Sequence, residues 1–409
     1  MNTNTKKSAW LDWIDLRFPL SKTIREHLTE YYAPKNFNFW YFFGSLALVV
    51  FANQIITGVW LVMFYTPTAK EAFDSVEYIM RDVHYGWLLR YLHSTGASFF
   101  FIVIYLHMLR GMLYGSYKKP RELLWLIGML LFILLLAEAF CGYLLPWGQM
   151  SFWGAQVITS LFGAIPWVGD QLIIWLRGDF GISDVSLHRF FSLHVVAIPV
   201  LMMGLVFVHL IALHKVGSNN PDGIEIKNQK NNEGIPLDGI PFHPYYTVKD
   251  TMGVVVFLIA FSSVLFFFPT VGGYFLEYAN FQPANPMVTP AHIAPVWYMT
   301  PFYSILRAIP NKLFGVIAMA SSVAFLFVIP WLDRSPVKSM RYRGWWSRGA
   351  LVLFILCFLA LGYLGTIPVT PIKQLLAQIA SGLYFAFFVL MPFYTTFEKT
   401  KTPPERVRM

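Results

Sequence analysis

The sequence predicts an all-α membrane protein with eight transmembrane helices. Three observations predict it. Hydrophobic residues make up 56% of the 409-residue chain and charged residues only 13%, against roughly 25% charged in a soluble protein. The apolar residues gather into eight runs, and most of these approach the ~20 residues that span a bilayer. The connections between the runs alternate between rich and poor in Lys and Arg, as expected when they lie on opposite sides of a membrane.

Residues 1–38 are polar, with no apolar stretch following their charges, so they are expected to form an N-terminal cytoplasmic segment and not a cleavable signal peptide. The runs cover about 40–65, 87–113, 123–145, 190–213, 252–269, 313–331, 350–364 and 375–397. The seventh is short and needs its flanking tryptophans to span. Four runs form a first domain, 39–214; a connection rich in Asn, Gly, Pro and Lys follows at 215–249; four more runs form a second domain, 250–397; and 398–409 is a tail. The third connection carries amphipathic stretches at 153–162 and 173–176, which suit a surface helix hairpin. The fifth, 270–312, contains Pro283, Pro286, Pro290, Pro295, Pro301 and Pro310, the composition of a rigid folded loop.

Charge position sets the orientation. The net charge of +9 comes from 31 basic and 22 acidic residues. Twenty-two of the basic residues fall in the two termini and the even-numbered connections, against eight toward the opposite side, Arg90 in the second run among them, and Arg110 at a helix end. By the positive-inside rule both termini are expected on the cytoplasmic side, or on the matrix side in an organelle. The excess charge is thereby accounted for by topology, and no nucleic-acid partner is needed. Cys141 and Cys357 both lie in apolar runs and no C-x-x-C-H occurs, so covalent c-type haem, a zinc finger and a disulfide framework are unsupported.

The residues that point to chemistry are four histidines inside the first domain. A histidine in the membrane interior is costly and therefore a functional candidate, and neutral imidazole is an axial ligand of haem iron. His93 and His107 lie 14 residues apart in the second run, and His194 and His209 lie 15 apart in the fourth. At about 100° and 1.5 Å per residue, each pair falls near one helix face with its members roughly 21–22 Å apart along the axis. Two such helices facing each other would hold two non-covalent, bis-histidine haems stacked across the bilayer. Gly44 and Gly58 in the first run and Gly128 and Gly142 in the third repeat the 14-residue register. Glycine lets a bulky partner approach a helix closely. Arg90 and Arg110 flank the second-run histidines and, with Arg189, could meet haem propionates. Alone, glycine pairs mean plain helix packing and terminal arginines snorkel; the shared register favours the dihaem bundle. Pro199 lies between His194 and His209, where a kink or bulge could absorb the extra residue.

With these residues in view the chain resembles the cytochrome b family of the quinol–cytochrome c oxidoreductase (cytochrome bc complex), over nearly its whole length. The blocks that carry the resemblance are GYLLPWGQMSFWGA (142–155), RYLHSTGAS (90–98), HLIALHKVGSNNP (209–221) and FYSILRAIPNK (302–312). It implies that His93 and His194 ligate a low-potential haem near the outer face, and His107 and His209 a high-potential haem near the inner face. The unequal spacings resemble bacterial and photosynthetic members, and the unsplit chain resembles the respiratory type. The bacterial inner (plasma) membrane is the implied location.

The resemblance also implies two quinone sites, with ubiquinone as substrate. The outer, quinol-oxidising site would use Tyr143, the 146–154 hairpin with Gly154, and Pro295, Val296, Trp297 and Tyr298. The family's usual motif has glutamate where this chain has Val296, so a carboxylate must come from elsewhere. Glu277 is preferred and Glu138 is the alternative. The inner, quinone-reducing site would use His214, Lys249 and Asp250, with Ser45 or Ser218 nearby. Implied partners are a Rieske iron–sulfur protein and a cytochrome c1-type subunit, in a homodimeric complex. His27, His84, His188, His243 and His292 are read as surface or structural. Two other functions fit the histidines: a dihaem membrane anchor of a quinone-linked dehydrogenase, and a secondary transporter using them as proton relays.

Overall fold

A computed structural model describes residues 9–408, apart from the side chains of Thr23, His27 and Leu28. Among the described residues eight helices are long and apolar enough to cross a membrane: Phe39–Val62, Gly86–Tyr114, Glu122–Leu144, Asp184–Val216, Phe242–Phe267, Lys312–Leu332, Trp345–Thr366 and Pro371–Val389. Their outward faces expose large apolar residues such as Val256, Phe267, Leu359 and Ile372. In water such continuous apolar surface would drive association; against lipid it is the expected exterior. The fold class predicted from the sequence is the one observed.

The helix ends differ from the apolar runs for local reasons. The fifth span begins at Phe242, ten residues before its run, because the polar 247–251 segment continues the helix, and the preceding connection is correspondingly shorter. The seventh is completed by Trp345 and Trp346, whose rings stack 3.7 Å apart at its start. The eighth stops at Val389, short of the run's end, and a separate turn of helix occupies Met391–Phe397. Pro392, lacking an N–H, sits in the first turn of that second piece, where the missing donor costs nothing.

The fourth span is irregular where the sequence required it. Its helix runs Asp184–Ser192, passes through a π-helical turn at Leu193–Ala197, and resumes at Ile198–Val216. Ile198 N–H bonds to Leu193 O, five residues back. A π turn inserts one residue without advancing the helix face. The 15-residue step from His194 to His209 therefore has the rotation of a 14-residue step, matching the second span. Pro199 follows directly and removes a donor that an unbroken α-helix would have used.

The segments that charge counting assigned to one side do meet at one face, through ion pairs. Lys35 in the N-terminal segment and Arg406 in the tail both bind Asp238 of the fourth connection, at 2.9 and 2.8 Å. Arg121 of the second connection and Lys338 of the sixth share Glu225 of the fourth. Lys118 and Arg343 share Asp333 at 3.2 and 2.5 Å. Burial pushes the Asp238 carboxyl up, but Arg406 and Lys35 outweigh it and hold it at about 2. Tyr32–Pro34 also pairs antiparallel with Gly239–Pro241, with Ala33 opposite Ile240. This face is called the basic face below, and the opposite one the far face.

On the far face the third connection folds into two helices, Gln149–Ser160 and Gly169–Arg177. Buried Arg177 clamps them by donating to Thr159 Oγ1 at 2.8 Å and Gln156 O at 3.0 Å. The proline-rich loop lies back over this hairpin: Gln149 N–H bonds to Gln282 O at 3.0 Å and Ala284 N–H to Trp147 O at 2.9 Å. Its last part forms a helix, Thr300–Ala308, packed against the sixth, seventh and eighth spans.

Candidate functional site

The first four spans bring the histidines together as two pairs. His93 and His194 face each other near the far face with ring centroids 6.1 Å apart. His107 and His209 do so near the basic face at 6.5 Å. Two imidazoles sharing one metal, at about 2 Å per metal–nitrogen bond, need roughly this separation once the ring radii are added. Among the described residues no cluster of three or more His, Cys, Asp or Glu could hold a bare metal ion. A two-ligand site suits a macrocycle that brings its own equatorial donors.

Each ring lies against one of the predicted glycines. A methyl group on Gly58 would come within 3.2 Å of His93 Cε1, on Gly128 within 3.3 Å of His209 Cε1, and on Gly44 within 3.6 Å of His107 Cε1. A methyl on Gly142 would overlap the His194 ring. The glycines thus give each imidazole room to lie against the neighbouring helix.

The Nδ1 atoms of the far-face pair are both tied to acceptors. Thr57 Oγ1 lies 2.9 Å from His93 Nδ1, and its own hydrogen goes to Asn53 O at 2.6 Å, so it accepts from the imidazole. His194 Nδ1 lies 3.0 Å from both Glu138 O and Glu138 Oε1. With Nδ1 protonated on both rings, Nε2 carries the lone pair a metal needs. At the basic-face pair Arg110 Nη2 lies 3.2 Å from His107 Nδ1, and among the described residues the buried Arg110 Nε has no hydrogen-bond partner. A buried guanidinium with an unused donor suits an anionic substituent such as a propionate. Arg90 is half-buried one turn before His93. Arg189 is engaged elsewhere: it is exposed, donates to Trp175 O and lies against Gly178.

A second site opens beside the far-face pair. A cavity of about 300 Å³ is lined by Met150, Tyr274, Glu277, His292, Pro295 and Trp297 among others. Tyr143 donates its hydroxyl hydrogen to Glu277 Oε2 at 2.5 Å. Burial pushes the Glu277 carboxyl up to about 7, against the lowering pull of that hydroxyl. Trp297 is held by its Nε1–H to Ser98 Oγ at 3.1 Å and by stacking on Phe275. The Tyr143 ring reaches within 3.9 Å of where a methyl on Gly154 would sit. The other motif residues stand back. Val296 is buried in the core, and Tyr298 stacks on Phe101 at 3.8 Å while its carbonyl accepts from Tyr105. Glu138 lies on His194 and does not line the cavity. His292, expected to be a surface or structural residue, lines it, with Nε2 3.2 Å from Thr366 O.

Near the basic-face pair, polar groups gather from separate segments. His214 stacks on Tyr31 at 4.6 Å and 9°. The Tyr31 hydroxyl lies 2.7 Å from Ser218 Oγ. Asp250 Oδ1 accepts from Ser45 Oγ at 3.0 Å. Lys249 is exposed, with its ammonium 5.3 Å from the Tyr246 ring.

Three of these residues escaped the sequence reading. Thr57 precedes Gly58, and a threonine beside a register glycine was a usable signal. His292 lies three residues before Pro295 in the far-face loop. Tyr31 carried no signal, since only the folded N-terminal segment brings it to His214.

The fold and site together define an eight-helix membrane protein with two facing histidine pairs in its first four spans. Residues 28–217 match the family described as Cytochrome b/b6/petB, and residues 283–385 match Cytochrome b(C-terminal)/b6/petD. A curated cytochrome b from Allochromatium vinosum is 62% identical, covering 99% of both chains. One from Rhodospirillum rubrum is 50% identical over 96% of this chain and 95% of its own length. A chain of a solved structure, "Hyperthermophilic respiratory Complex III", superposes with a TM-score of 0.88 at 41% identity, covering 95% of this chain and 99% of that one. The chain belongs to the cytochrome b family.

Proposed function

We propose that the chain is the dihaem cytochrome b subunit of a respiratory bc complex: it oxidises ubiquinol at the far face and reduces quinone at the basic face, releasing and taking up protons on opposite sides of the membrane. The observation that carries this reading is the pair of facing histidine couples, at 6.1 and 6.5 Å, each with two glycines beside its rings. His93 and His194 would hold one b-type haem and His107 and His209 the other, with Gly58, Gly142, Gly44 and Gly128 making room and Arg90 and Arg110 meeting propionates. Bound there, the haems would supply one-electron carriers at two depths of the membrane.

The chain's own side chains do the binding and the proton work. Quinol would enter the far-face cavity, whose volume lies at the lower end of the range for ligand pockets. Glu277, hydrogen-bonded to Tyr143, is the group there that can take its proton near neutral pH, the role Val296 cannot fill. Trp297 and Pro295 wall the ring in. At the basic face His214, Lys249 and Asp250, with Ser45 and Ser218, would hold quinone and deliver protons. The two cysteines are buried in different spans, and among the described residues no group of three or more His, Cys, Asp or Glu could hold a metal, so no iron–sulfur cluster is expected on this chain. A Rieske iron–sulfur protein and a cytochrome c1-type subunit are therefore the expected partners, in a dimeric complex. The basic face would be the cytoplasmic side of a bacterial inner membrane.

A dithionite-reduced-minus-oxidised spectrum of the purified complex tests this. Two b-type components with distinct midpoint potentials are expected, together with quinol–cytochrome c turnover. No b-type bands would refute the reading and favour a proton-relay transporter. Bands without quinol–cytochrome c turnover would favour a dehydrogenase anchor.

A further inference from the structure

Glu138 is an intramembrane carboxylate that the proton chemistry above leaves unused. It projects from the third span, one turn before Gly142, and its Oε1 lies 3.0 Å from His194 Nδ1. The backbone carbonyl of the same residue reaches the same nitrogen at 3.0 Å. Its second oxygen, Oε2, is buried without a partner among the described residues. A carboxylate inside a span is expensive, so one aimed at a histidine that faces another histidine calls for a specific account.

We propose that Glu138 is a positioning and tuning residue for the far-face haem, holding its midpoint potential down through the His194 imidazole. The proposal rests on the reading that His194 is an axial ligand. When Nε2 binds a metal, Nδ1 carries the proton and donates; a carboxylate is the stronger acceptor of the two oxygens offered to it. Two effects then act in one direction. The charge-assisted bond gives the imidazole partial imidazolate character, making it a better donor to the oxidised iron. The nearby negative charge also favours the more positive, oxidised centre in a low-dielectric interior. Reduction adds one electron and, in this scheme, no proton. Among the described residues no carboxylate is paired with the basic-face histidines: His107 Nδ1 meets the Arg110 cation, whose charge acts in the opposite sense. The half-buried Arg90 lies at the far-face end of the second span, and its charge would be met by propionates.

Redox potentiometry on membranes carrying the intact complex, comparing wild type with Glu138→Gln and Glu138→Asp, tests this. Glutamine keeps an acceptor oxygen and removes the charge. The expected result is a rise in the far-face haem's midpoint by about a tenfold change in its reduced-to-oxidised ratio, ~59 mV for one electron, with the other haem unmoved. Aspartate keeps the charge and should restore most of the wild-type value. The electron paramagnetic resonance signal of the oxidised far-face haem should shift with glutamine and return with aspartate. The proposal is overturned if the glutamine variant keeps both haems with unchanged midpoints, or if both midpoints move together. Should glutamine fail to retain the haem, Glu138→Met, which removes charge and acceptor alike, is read the same way; loss of the far-face haem in both would make Glu138 a structural residue and refute a tuning role. Absence of b-type bands in the wild type would instead sink the underlying haem reading.

Discussion

The two histidine pairs occupy the same four helices at nearly the same ring separation, yet their surroundings have opposite character. At the far face both Nδ1 atoms meet acceptors, Thr57 and Glu138, and a cavity with a buried carboxyl opens alongside. At the basic face His107 meets a cation, and the neighbouring polar groups come from the N-terminal segment, the first span and the start of the fifth. The repeat of the pairs follows from helix register, which is why their geometry is so alike. The difference lies in residues one contact further out, and these decide what each pair can do.

The severest way to break the comparison is to disturb that register. Deleting Val206, in the regular helix between the π turn and His209, would rotate His209 by about 100° and should remove the basic-face haem. Deleting Val196, inside the π turn, should merely convert that turn to α-helix and retain both haems. Haem content per chain, measured by pyridine haemochromogen assay, checks both. If the two deletions behave alike, the π turn is not what compensates the 15-residue spacing.

A smaller effect sharpens the far-face half. Glu277→Gln should slow quinol oxidation by roughly a hundredfold, the low end of what a positioned acid–base group contributes, and by more than Glu138→Gln does. The sign of the pH effect follows from the raised carboxyl. Acting as proton acceptor, Glu277 must be ionised, and with burial holding it at about 7 its ionised fraction climbs between about pH 6 and 8. Turnover should rise over that interval in the wild type and stay flat in the glutamine variant. The reverse ranking of the two substitutions would move the proton role to Glu138.

How much of this was readable in the sequence depended on whether a residue's partner was also a matter of helix register. The eight spans followed from apolar length, and the gathering of the termini and even-numbered connections on one face from counting Lys and Arg. The alignment of Gly44, Gly58, Gly128 and Gly142 with the four histidines followed from equal spacing. Even the irregular turn near Pro199 was signalled, because 15 residues cannot hold a 14-residue face without one. The rest depended on chain segments distant in sequence. Glu277 meets Tyr143 only because the proline-rich loop lies back on the 146–154 hairpin. His292 joins the same cavity from a loop where a lone histidine ordinarily faces solvent. Glu138 could be recognised as an unusual acid, but whether it faced the cavity or His194 turned on the rotation of one helix against another.

The gentlest test falls on the basic-face half. Tyr31 stacks its ring on the His214 imidazole, and its hydroxyl is anchored to Ser218. If His214 contacts quinone, the stack fixes the plane of its ring and the hydroxyl fixes the stack. Tyr31→Phe removes the hydroxyl alone, a hydrogen bond worth about 1 kcal/mol net, so quinone reduction at this face should slow about five-fold. Tyr31→Ala removes the stack as well, and the loss should be larger because the imidazole regains its rotational freedom. Far-face quinol oxidation, followed as the first-turnover reduction of the partner chain's cytochrome with the basic-face site blocked, should be unchanged in both variants. Equal rates for phenylalanine and alanine would mean that the stack does not orient His214. A matching loss at the far face would mean that Tyr31 acts on the fold as a whole, and the two halves would then be less independent than their separate polar surroundings imply.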